Sequence, residues 1–423
     1  MTDFLESLAS RRRFGMKPGL ETIRAVCSAL GDPQRAFKAI HVAGTNGKGA
    51  VCALLDAALR GAGDGRVGRY TSPHLVRLNE RFFLDGRPVD DATLERAAER
   101  VERAIASATD PAVGELTFFE ALTAVAFLVY AEAACDRVIL ECGLGGRLDA
   151  TNVCTPELCV ITRIGLDHCD WLGDTVERIA AEKAGIVKPG VPVLLADNEP
   201  SVRAVIEARA RELGSPFFFA PDLASEDDIP ADFALPGAFN RENAVTALAA
   251  LRLLAGTGTR FAEMKRGLAA AVWPGRFQRI ANFIVDGAHN PPAATALVKA
   301  LSEVGGGFNL IAGFCGDKDV GTVLRILGPL VARAFAVRTN NPRSLTAEET
   351  AARMRSAGFA AETCPSLPAA ISRAGTEPTV ICGSLFLAGE AVVTLGAYPW
   401  ALTPRFDPSE RLTVTDSVNK ESI

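Results

Sequence analysis

The segment Ala43–Gly49, AGTNGKG, constrains the fold of this chain most, because it joins an apolar run to an amphipathic one. The run Ala39–Ala43 before it predicts a β-strand, and the run Gly49–Arg60 after it predicts an α-helix. Its three glycines permit a tight turn that presents backbone N–H groups to an anion, and Lys48 adds a positive charge. A strand, a glycine-rich loop and a helix N-terminus in this order are typical of a nucleotide phosphate-binding loop.

Short apolar runs alternate with longer amphipathic runs along the chain, which predicts an α/β fold with a parallel sheet. The strands predicted in the first part of the chain are Ala39–Ala43, Arg137–Glu141, Leu158–Arg163, Val191–Leu195 and Phe217–Phe219. The helices predicted there are Gly49–Arg60, Asp91–Ile105, Phe118–Ala134, Thr175–Ala184, Val202–Glu212 and Asn240–Leu254.

A break at Trp273–Phe277, WPGRF, interrupts this alternation, and the alternation then restarts. The restart predicts a second, smaller α/β domain. We therefore predict an N-terminal P-loop-type ATPase domain with a parallel sheet over residues 1–279. A C-terminal Rossmann-like α/β domain is predicted over residues 280–402, and a polar tail over residues 403–423.

The charge and cysteine content exclude several classes of protein. Acidic residues outnumber basic ones 50 to 45, which gives a net charge of −5 and argues against binding to nucleic acid or to an anionic membrane. The longest apolar stretch, Ala121–Ala131, is too short to span a bilayer. The ten cysteines form no C-x-x-C pair, and the N-terminal residues lack the pattern of an export signal. We expect reduced thiols and a cytoplasmic protein.

Polar residues at predicted strand ends indicate where chemistry takes place. Glu141 ends one predicted strand and His168 follows another, and ligands of open α/β sheets bind beyond the carboxyl ends of strands. Of the four histidines, His41 lies inside a predicted strand, and we interpret it as structural.

A series of further motifs in fixed order resembles one known family, the bifunctional dihydrofolate synthase/folylpolyglutamate synthases, which are relatives of the Mur peptidoglycan ligases. The motifs that carry the resemblance are AGTNGKG (43–49), YTSPHL (70–75), NER (79–81), TFFEALT (117–123), ECGLGGRLDATN (141–152), ITRIGLDHCDWLGDT (161–175), EKAGIVKPG (182–190), NA (243–244), PGRFQ (274–278), DGAHNP (286–291) and GDKD (316–319). They follow one another in the family's order from residue 43 to residue 319.

The resemblance implies an ATP-dependent ligase that joins L-glutamate to 7,8-dihydropteroate and to reduced folates through an acyl phosphate. It implies Mg²⁺ as the cofactor, ATP as co-substrate and a monomeric enzyme, and it leaves room for a monovalent cation. Such chemistry requires that a carboxylate, an amine and the γ-phosphate are held in line with water excluded.

The resemblance also implies roles for individual residues. Ser72, Glu141 and His168 would bind the metal. Lys48, Lys183 and His168 would act in catalysis, and Lys183 is the position that carries a carbamylated lysine in the family. The ATP-binding residues would be Gly44, Thr45, Asn46, Gly47, Lys48, Gly49, Asn243, Arg276, Asp286 and His289. The substrate-binding residues would be Thr71, His74, Arg77, Thr117, Phe119, Asp149, Asp317 and Lys318.

Ala50 departs from the family pattern, because a serine or threonine normally follows Lys-Gly and its hydroxyl would bind the metal. Ala50 is the sole support for one alternative, a catalytically silent ATP-binding paralogue that acts as a regulator. A second alternative is a Mur-like enzyme that adds an amino acid to a peptidoglycan precursor. Such enzymes usually carry a further N-terminal domain, whereas the phosphate loop here begins about forty residues into the chain, so the folate ligase is the favoured interpretation.

Overall fold

The computed structural model describes residues 19–108, 113, 116–256 and 258–400 of the chain. It divides into two compact units between Trp273 and Pro274. This division falls a few residues before the boundary predicted after residue 279, because the strand Gln278–Ile280 pairs within the second sheet. The predicted polar tail over 403–423 lies outside the described residues.

The first unit contains an eight-stranded sheet in the order β4-β3-β2-β5-β1-β6-β7-β8. Its strands are β1 (Lys38–Ala43), β2 (Val67–Tyr70), β3 (Phe82–Leu84), β4 (Arg87–Pro88), β5 (Arg137–Glu141), β6 (Leu158–Ile161), β7 (Val193–Leu195) and β8 (Phe217–Phe219). Neighbouring strands run parallel across β2, β5, β1, β6, β7 and β8. Strands β3 and β4 pair antiparallel at the β2 side and form that edge of the sheet.

Helices cover both faces of this sheet. They are α1 (Glu21–Ala29), α2 (Lys48–Gly61), α3 (Asp91–Ser107), α4 (Phe118–Glu132), α5 (Cys169–Leu172), α6 (Val176–Ala184), α7 (Pro200–Glu212), α8 (Ala220–Leu223), α9 (Ala238–Ala255) and α10 (Thr259–Gly267). Helix α2 packs with α9 and α10 in one core, whereas α4 packs with α1 and α3 in another. In the part of the chain that the structure describes, no helix combines the length and the apolar character needed to cross a bilayer.

The second unit contains a six-stranded sheet in the order β13-β12-β11-β14-β10-β9. Its strands are β9 (Gln278–Ile280), β10 (Phe283–Val285), β11 (Phe308–Ala312), β12 (Val331–Ala336), β13 (Ala361–Thr363) and β14 (Thr379–Cys382). Its helices are α11 (Pro291–Ser302), α12 (Val320–Leu327), α13 (Ala347–Ser356), α14 (Leu367–Ala374) and α15 (Leu385–Thr394). Only β9 is antiparallel to its neighbour among these described strands, so the unit is a Rossmann-like α/β layer structure, as predicted.

The three central strands of the first sheet determine where the candidate site lies. Val42 pairs with Glu141, and Ala43 pairs with Ile161, so β1, β5 and β6 end at the same edge. Strand β1 is buried on both faces after its first residue, as expected for a central strand of a parallel sheet. The loops that follow these strands therefore meet at one edge of the sheet, as the sequence predicts.

Arg69 is a buried cation on β2, and it has two kinds of partner. Its Nη1 lies 3.6 Å from Oδ2 of Asp56 on α2. Its guanidinium carbon lies 3.8 Å from the centre of the Phe83 ring on β3. The pair therefore ties the phosphate-loop helix to β2.

Replacement of Asp56 by alanine tests the buried pair. The guanidinium of Arg69 would remain buried without its carboxylate, so we expect the free energy of unfolding to fall by about 3–5 kcal/mol. Urea titration followed by circular dichroism measures the change. Asp174→Ala removes an exposed ion pair with Arg178 and serves as the control, with an unfolding midpoint close to that of the wild type. Equal shifts in the two variants would contradict the assignment.

Candidate active site

The phosphate loop is held to the end of β6 by its own backbone. The amides of Thr45 and Asn46 donate to the carbonyl oxygen of Arg163 at 2.9 and 3.2 Å. The hydroxyl of Thr162 donates to the carbonyl oxygen of Asn46 at 2.8 Å. These two loop amides therefore shape the loop in the structure. The amides of the first turn of α2 have no intrahelical acceptor, so that turn supplies the anion-facing donors.

Two glycines of the loop are required by close packing. Gly47 has a φ of 87°, and a Cβ there would overlap Oδ1 of Asn243 on α9. A Cβ on Gly49 would overlap the ring of Trp273. Asn243, predicted to bind ATP, therefore lies against the phosphate loop, and Trp273 covers the first turn of α2.

Lys48 and Lys183 approach the same carbonyl oxygen. Lys48 Nζ donates to the carbonyl oxygens of Gly44 and Thr45 at 3.1 and 3.2 Å, and Lys183 Nζ donates to that of Gly44 at 2.8 Å. Burial, followed by repulsion from Lys48, lowers the pKa of Lys183 from its ordinary 10.5 to about 7. The side chain of Lys183 is therefore partly neutral near pH 7.

A cleft opens where the loops after β1, β5 and β6 meet. Its lining residues are Gly44, Thr45, Lys48, Cys142, Gly143, Leu144, Gly145, Asp167, His168, Leu172 and Lys183. The structure thus brings together three residues that the sequence predicts to be catalytic, namely Lys48, Lys183 and His168. His168 has a φ of 52°, and its side chain is 45% exposed at the rim of the cleft.

Of the predicted metal ligands, His168 lines this cleft, whereas Glu141 and Ser72 contact each other beside the cleft wall. Glu141 ends β5 beside Cys142 of the cleft wall, and its Oε2 accepts the backbone N–H of Ser72 at 3.0 Å. Within the described ranges, no three His, Cys, Asp or Glu side chains gather closely enough to hold a metal by themselves. A carboxylate, a hydroxyl and an imidazole at the mouth of a phosphate loop nevertheless fit Mg²⁺, which takes few protein ligands and shares phosphate oxygens.

The carboxylate of Glu80 shapes the loop that carries Ser72 and His74. It accepts the backbone N–H groups of Leu75, Val76 and Arg77 at 2.7–2.8 Å. This loop therefore has one conformation that the buried carboxylate specifies.

The predicted substrate residues of the same region differ in what they contact. Arg81 Nε donates to Nδ1 of His74 at 3.0 Å, which orients the imidazole. Arg77 forms an ion pair with Asp91 at the start of α3. The hydroxyl of Thr71 is buried and donates to the carbonyl oxygen of Glu80 at 3.3 Å. Contact of Thr71, His74 and Arg77 with substrate stays a prediction.

The other predicted pteridine residues organise local structure. Thr117 caps α4, because its hydroxyl and amide exchange hydrogen bonds with Glu120. Phe119 packs on Gly143, where a Cβ would lie 2.6 Å from its ring, and its ring centre is 6.1 Å from that of Tyr70. Asp149 is buried, and both of its oxygens accept hydrogen bonds within its own loop. A substrate contact for these residues stays a prediction.

The second unit holds its predicted residues at two strand ends. Asp286 follows β10, and its two oxygens accept the N–H groups of Phe277 and Ala288, each at 2.7 Å. Burial raises the pKa of Asp286, and Arg276 opposes that shift. His289 Nδ1 lies 2.8 Å from the carbonyl oxygen of Gly287. Arg276, Asp286 and His289 therefore belong to one loop cluster of this unit.

After β11, Asp317 lies 3.4 Å from Arg343 and 3.9 Å from Lys318, which makes this second strand end a charged cluster. Whether these side chains contact substrate stays a prediction.

Sequence reasoning missed several residues that shape the site. Thr162 and Arg163 anchor the phosphate loop, Thr151 holds Asp149, and Trp273 covers Gly49. The sequence signal for Trp273 is its position beside Pro274, which indicates a linker and gives no sign of packing. The other three act through contacts between distant segments, for which one sequence carries no signal.

Comparison with known proteins agrees with this geometry. Residues 275–384 match the family model of the Mur ligase, glutamate ligase domain. The dihydrofolate synthase/folylpolyglutamate synthase of Escherichia coli (strain K12) is 34% identical over 419 residues, which cover 93% of this chain and 94% of that protein.

Two solved structures are similar over nearly the whole chain. E. coli FolC in complex with DHPP and ADP has a TM-score of 0.82 at 32% identity and covers 94% of this chain and 98% of its own. A bifunctional folylpolyglutamate synthase/dihydrofolate synthase with Mn, AMPPNP and L-glutamate bound has a TM-score of 0.80 at 31% identity, with 94% and 98% covered.

The two-unit fold, the phosphate loop and the matched glutamate ligase domain define a Mur-type ligase. Within that class, the chain belongs to the dihydrofolate synthase/folylpolyglutamate synthase family. The resemblance found in the sequence is therefore confirmed.

Gly49→Ala tests the packing of the phosphate loop. The added methyl group would overlap the ring of Trp273, and overpacking of this kind costs about 1–3 kcal/mol. Because the first turn of α2 must shift, we expect the dissociation constant for ADP, measured by calorimetry, to rise by about 10-fold. Gly306→Ala is the control, since its nearest neighbour would lie 3.9 Å away. Wild-type affinity in a folded Gly49→Ala protein would show that the contact does not position the loop.

Lys183→Met tests the burial of the Lys183 amine. The pKa of Lys183 is about 7 in the fold against an ordinary 10.5, so the unfolded chain binds more protons between these values. The free energy of unfolding of the wild type should therefore rise as the pH increases from about 7 to 10, at about 1.4 kcal/mol per unit at most. Lys183→Met should remove this contribution, whereas Lys38→Met, at an exposed position, should keep it. If the free energy of unfolding depends on pH in the same way in the wild type and in Lys183→Met, the Lys183 amine is not buried as described.

Proposed function

We propose that this chain joins L-glutamate to 7,8-dihydropteroate, and to reduced folates, with the cleavage of ATP to ADP and phosphate. The observation that carries the proposal is the convergence of Lys48, Lys183 and His168 with the phosphate loop on one cleft. The family relationship supports the choice of substrates, because E. coli FolC binds DHPP with ADP and a similar enzyme binds L-glutamate.

The reaction proceeds in two displacements. A carboxylate oxygen of the pteroate attacks the γ-phosphorus of ATP, the bond to ADP breaks, and an acyl phosphate forms. The neutral amine of L-glutamate then attacks the acyl carbon, the C–O bond breaks, and phosphate leaves with that oxygen. The glutamate nitrogen loses a proton to complete the amide.

The residues of the chain contribute mainly position and charge. The first turn of α2 binds the phosphates through backbone N–H groups, and Lys48 lies where it can neutralise the charge that moves from the γ-phosphate. The wall Gly143–Gly145 lines the cleft and would limit the access of water to the reacting groups. In the second unit, Arg276 would bind phosphate through its planar fork, and Asp286 and His289 would contact ATP.

The metal in this proposal is Mg²⁺, held by Ser72, Glu141 and His168. When bound, it would supply charge neutralisation and orientation of the ATP phosphates. A monovalent cation, a monomeric state and a cytoplasmic location stay predictions.

Lys183 suits the carbamylation that the family resemblance implies. A neutral amine adds to CO₂ to form a carbamate with loss of a proton, and the lowered pKa of Lys183 makes the neutral form available near pH 7. The product would be a carboxylate beside the phosphate loop, able to help hold a second Mg²⁺.

Ala50 favours a second candidate function, that of a silent ATP-binding paralogue. Its side chain is buried in the first turn of α2 and offers no oxygen to a metal. Magnesium keeps several waters, so one water can take the place of the hydroxyl. The retention of Glu141, Ser72 and His168 around the cleft favours the active ligase.

The dependence of ADP release on substrates tests the proposed function, and Glu141→Gln tests the role of Glu141 in it. The wild type should release ADP only when dihydropteroate or a reduced folate is present, and amide formation should also require L-glutamate. Loss of one charged contact to the phosphate and metal centre should lower kcat by about 100-fold or more, while circular dichroism stays unchanged. Glu212→Gln, at an exposed position on α7, is the control and should keep full turnover.

ADP release by the wild type that ignores both substrates would contradict the ligase assignment. Full turnover of a folded Glu141→Gln protein would remove Glu141 from the site but leave the reaction class standing.

A further inference from the structure

A chain of buried polar side chains runs beneath the cleft wall, and the proposed mechanism does not use all of it. His41 Nε2 lies 2.8 Å from Oγ1 of Thr151, and Thr151 Oγ1 lies 2.5 Å from Oδ1 of Asp149. Asp149 Oδ2 accepts the amides of Gly143 and Leu144 at 2.8 and 2.9 Å. His41, Thr151 and Asp149 are all buried.

The directions of these hydrogen bonds follow from the chemistry of Asp149. Four donors converge on its two oxygens, namely the amides of Gly143, Leu144 and Thr151 and the hydroxyl of Thr151. Burial raises the pKa of Asp149, and these hydrogen bonds oppose that shift. Such an arrangement suits an ionised carboxylate, which can only accept. The hydrogen of the Thr151 hydroxyl therefore points to Asp149.

His41 must then donate to Thr151. The oxygen of Thr151 has already given its hydrogen to Asp149, so Nε2 of His41 carries the proton of the second hydrogen bond. Burial and the nearby Lys188 lower the pKa of His41 to about 3, so the imidazole is neutral. Among the described residues, Nδ1 has no hydrogen-bond partner, which suits an unprotonated nitrogen. The sulfur of Cys142 lies 3.1 Å from the same Nε2 and can share its proton.

The hydrogen-bonded series links β1, the strand before the phosphate loop, to the cleft wall. His41 lies in β1, two residues before the phosphate loop begins to turn, and pairs in register with Leu140 of β5. At the other end, Asp149 holds Gly143 and Leu144, which line the cleft. The ring of Phe119, a predicted pteridine neighbour, packs on Gly143.

We propose that Thr151 and His41 are positioning residues that hold Asp149, and through it the wall Gly143–Leu144, at the place where the pteroate carboxylate meets the γ-phosphate. This inference rests on the proposed function. Because Phe119, a predicted pteridine neighbour, packs on Gly143, we expect the wall to face the acceptor substrate, whereas ATP binding depends on α2 and Lys48. Loss of these hydrogen bonds should therefore raise the KM for the pteroate and leave the KM for ATP unchanged.

Thr151→Val and Thr151→Ser form a matched pair that tests the proposal. Valine has the shape of threonine without the hydroxyl, and serine keeps the hydroxyl. Thr151→Val should raise the KM for dihydropteroate by about 5-fold or more, the size expected when buried groups lose a hydrogen-bond partner, with the KM for ATP within about 2-fold of the wild type. Thr151→Ser should restore the wild-type KM. Thr350→Val, a buried threonine of α13 in the second unit, is the control for the loss of a hydroxyl alone.

An equal rise in both KM values, or an unchanged KM for dihydropteroate in Thr151→Val, would overturn the positioning role. A purely structural role would lower the melting temperature and the amount of active enzyme, but it would not change one KM selectively.

The tautomer of His41 gives a second test that needs no turnover and is read on the wild type. The chain has four histidines, so ¹⁵N imidazole spectra of the wild type are simple, and His41→Gln identifies the resonance. The hydrogen bonds from His41 to Asp149 predict a neutral imidazole that carries its proton on Nε2 and does not titrate between pH 6 and pH 8. A proton on Nδ1, or titration in this range, would overturn the inference. A wild type without ligase activity but with this tautomer would count against the proposed function alone.

Discussion

The carbonyl oxygen of Gly44 accepts hydrogen bonds from the side-chain amines of both Lys48 and Lys183, and the arrangement of the cleft depends on this contact. Two lysines at one acceptor concentrate positive charge beside the phosphate loop, and their mutual repulsion helps lower the pKa of Lys183. The contact is possible because β1 lies between β5 and β6 in a parallel sheet, so the loops after all three strands open at one edge. While Lys183 is unmodified, an anion that binds there would relieve the repulsion, which favours phosphate in the cleft.

Buried carboxylates perform a second common task in this protein, since they specify the shapes of loops. Glu80 binds three consecutive amides, Asp149 binds the amides of three residues, and Asp286 binds two. Loops rich in polar groups do not pack around an apolar core of their own. A buried carboxylate that accepts their backbone N–H groups holds them in place instead. The loops around the cleft are therefore preorganised, as a reaction that depends on alignment requires.

The sequence predicts the central architecture well because its signals there are local. The predicted strands Arg137–Glu141 and Phe217–Phe219 match the structure, and the helix predicted over Asp91–Ile105 is observed over Asp91–Ser107. Strands β2 and β9 were not predicted, because each is short and neither is a long apolar run. Helix α1 was also missed, although Ile23, Val26 and Cys27 follow the i, i+3, i+4 spacing of an amphipathic helix.

The site could be predicted to the level of its motifs but not to the level of its hydrogen bonds. Lys48, Lys183 and His168 lie on one cleft, as expected. The backbone amides of Thr45 and Asn46, however, bind Arg163, and Thr117 caps a helix. A motif names the residues of a loop, whereas the partner of each donor depends on which distant segment lies beside it. That information is present only in the fold.

The path of oxygen through the reaction tests the central claim most directly, namely that this cleft activates a carboxylate by phosphoryl transfer. Dihydropteroate labelled with ¹⁸O in its carboxylate is incubated with the protein, ATP, Mg²⁺ and L-glutamate, and the inorganic phosphate is analysed by mass spectrometry. Attack of the carboxylate on the γ-phosphorus predicts one labelled oxygen in phosphate for each amide formed. Phosphate without label, or label in AMP, would contradict the account.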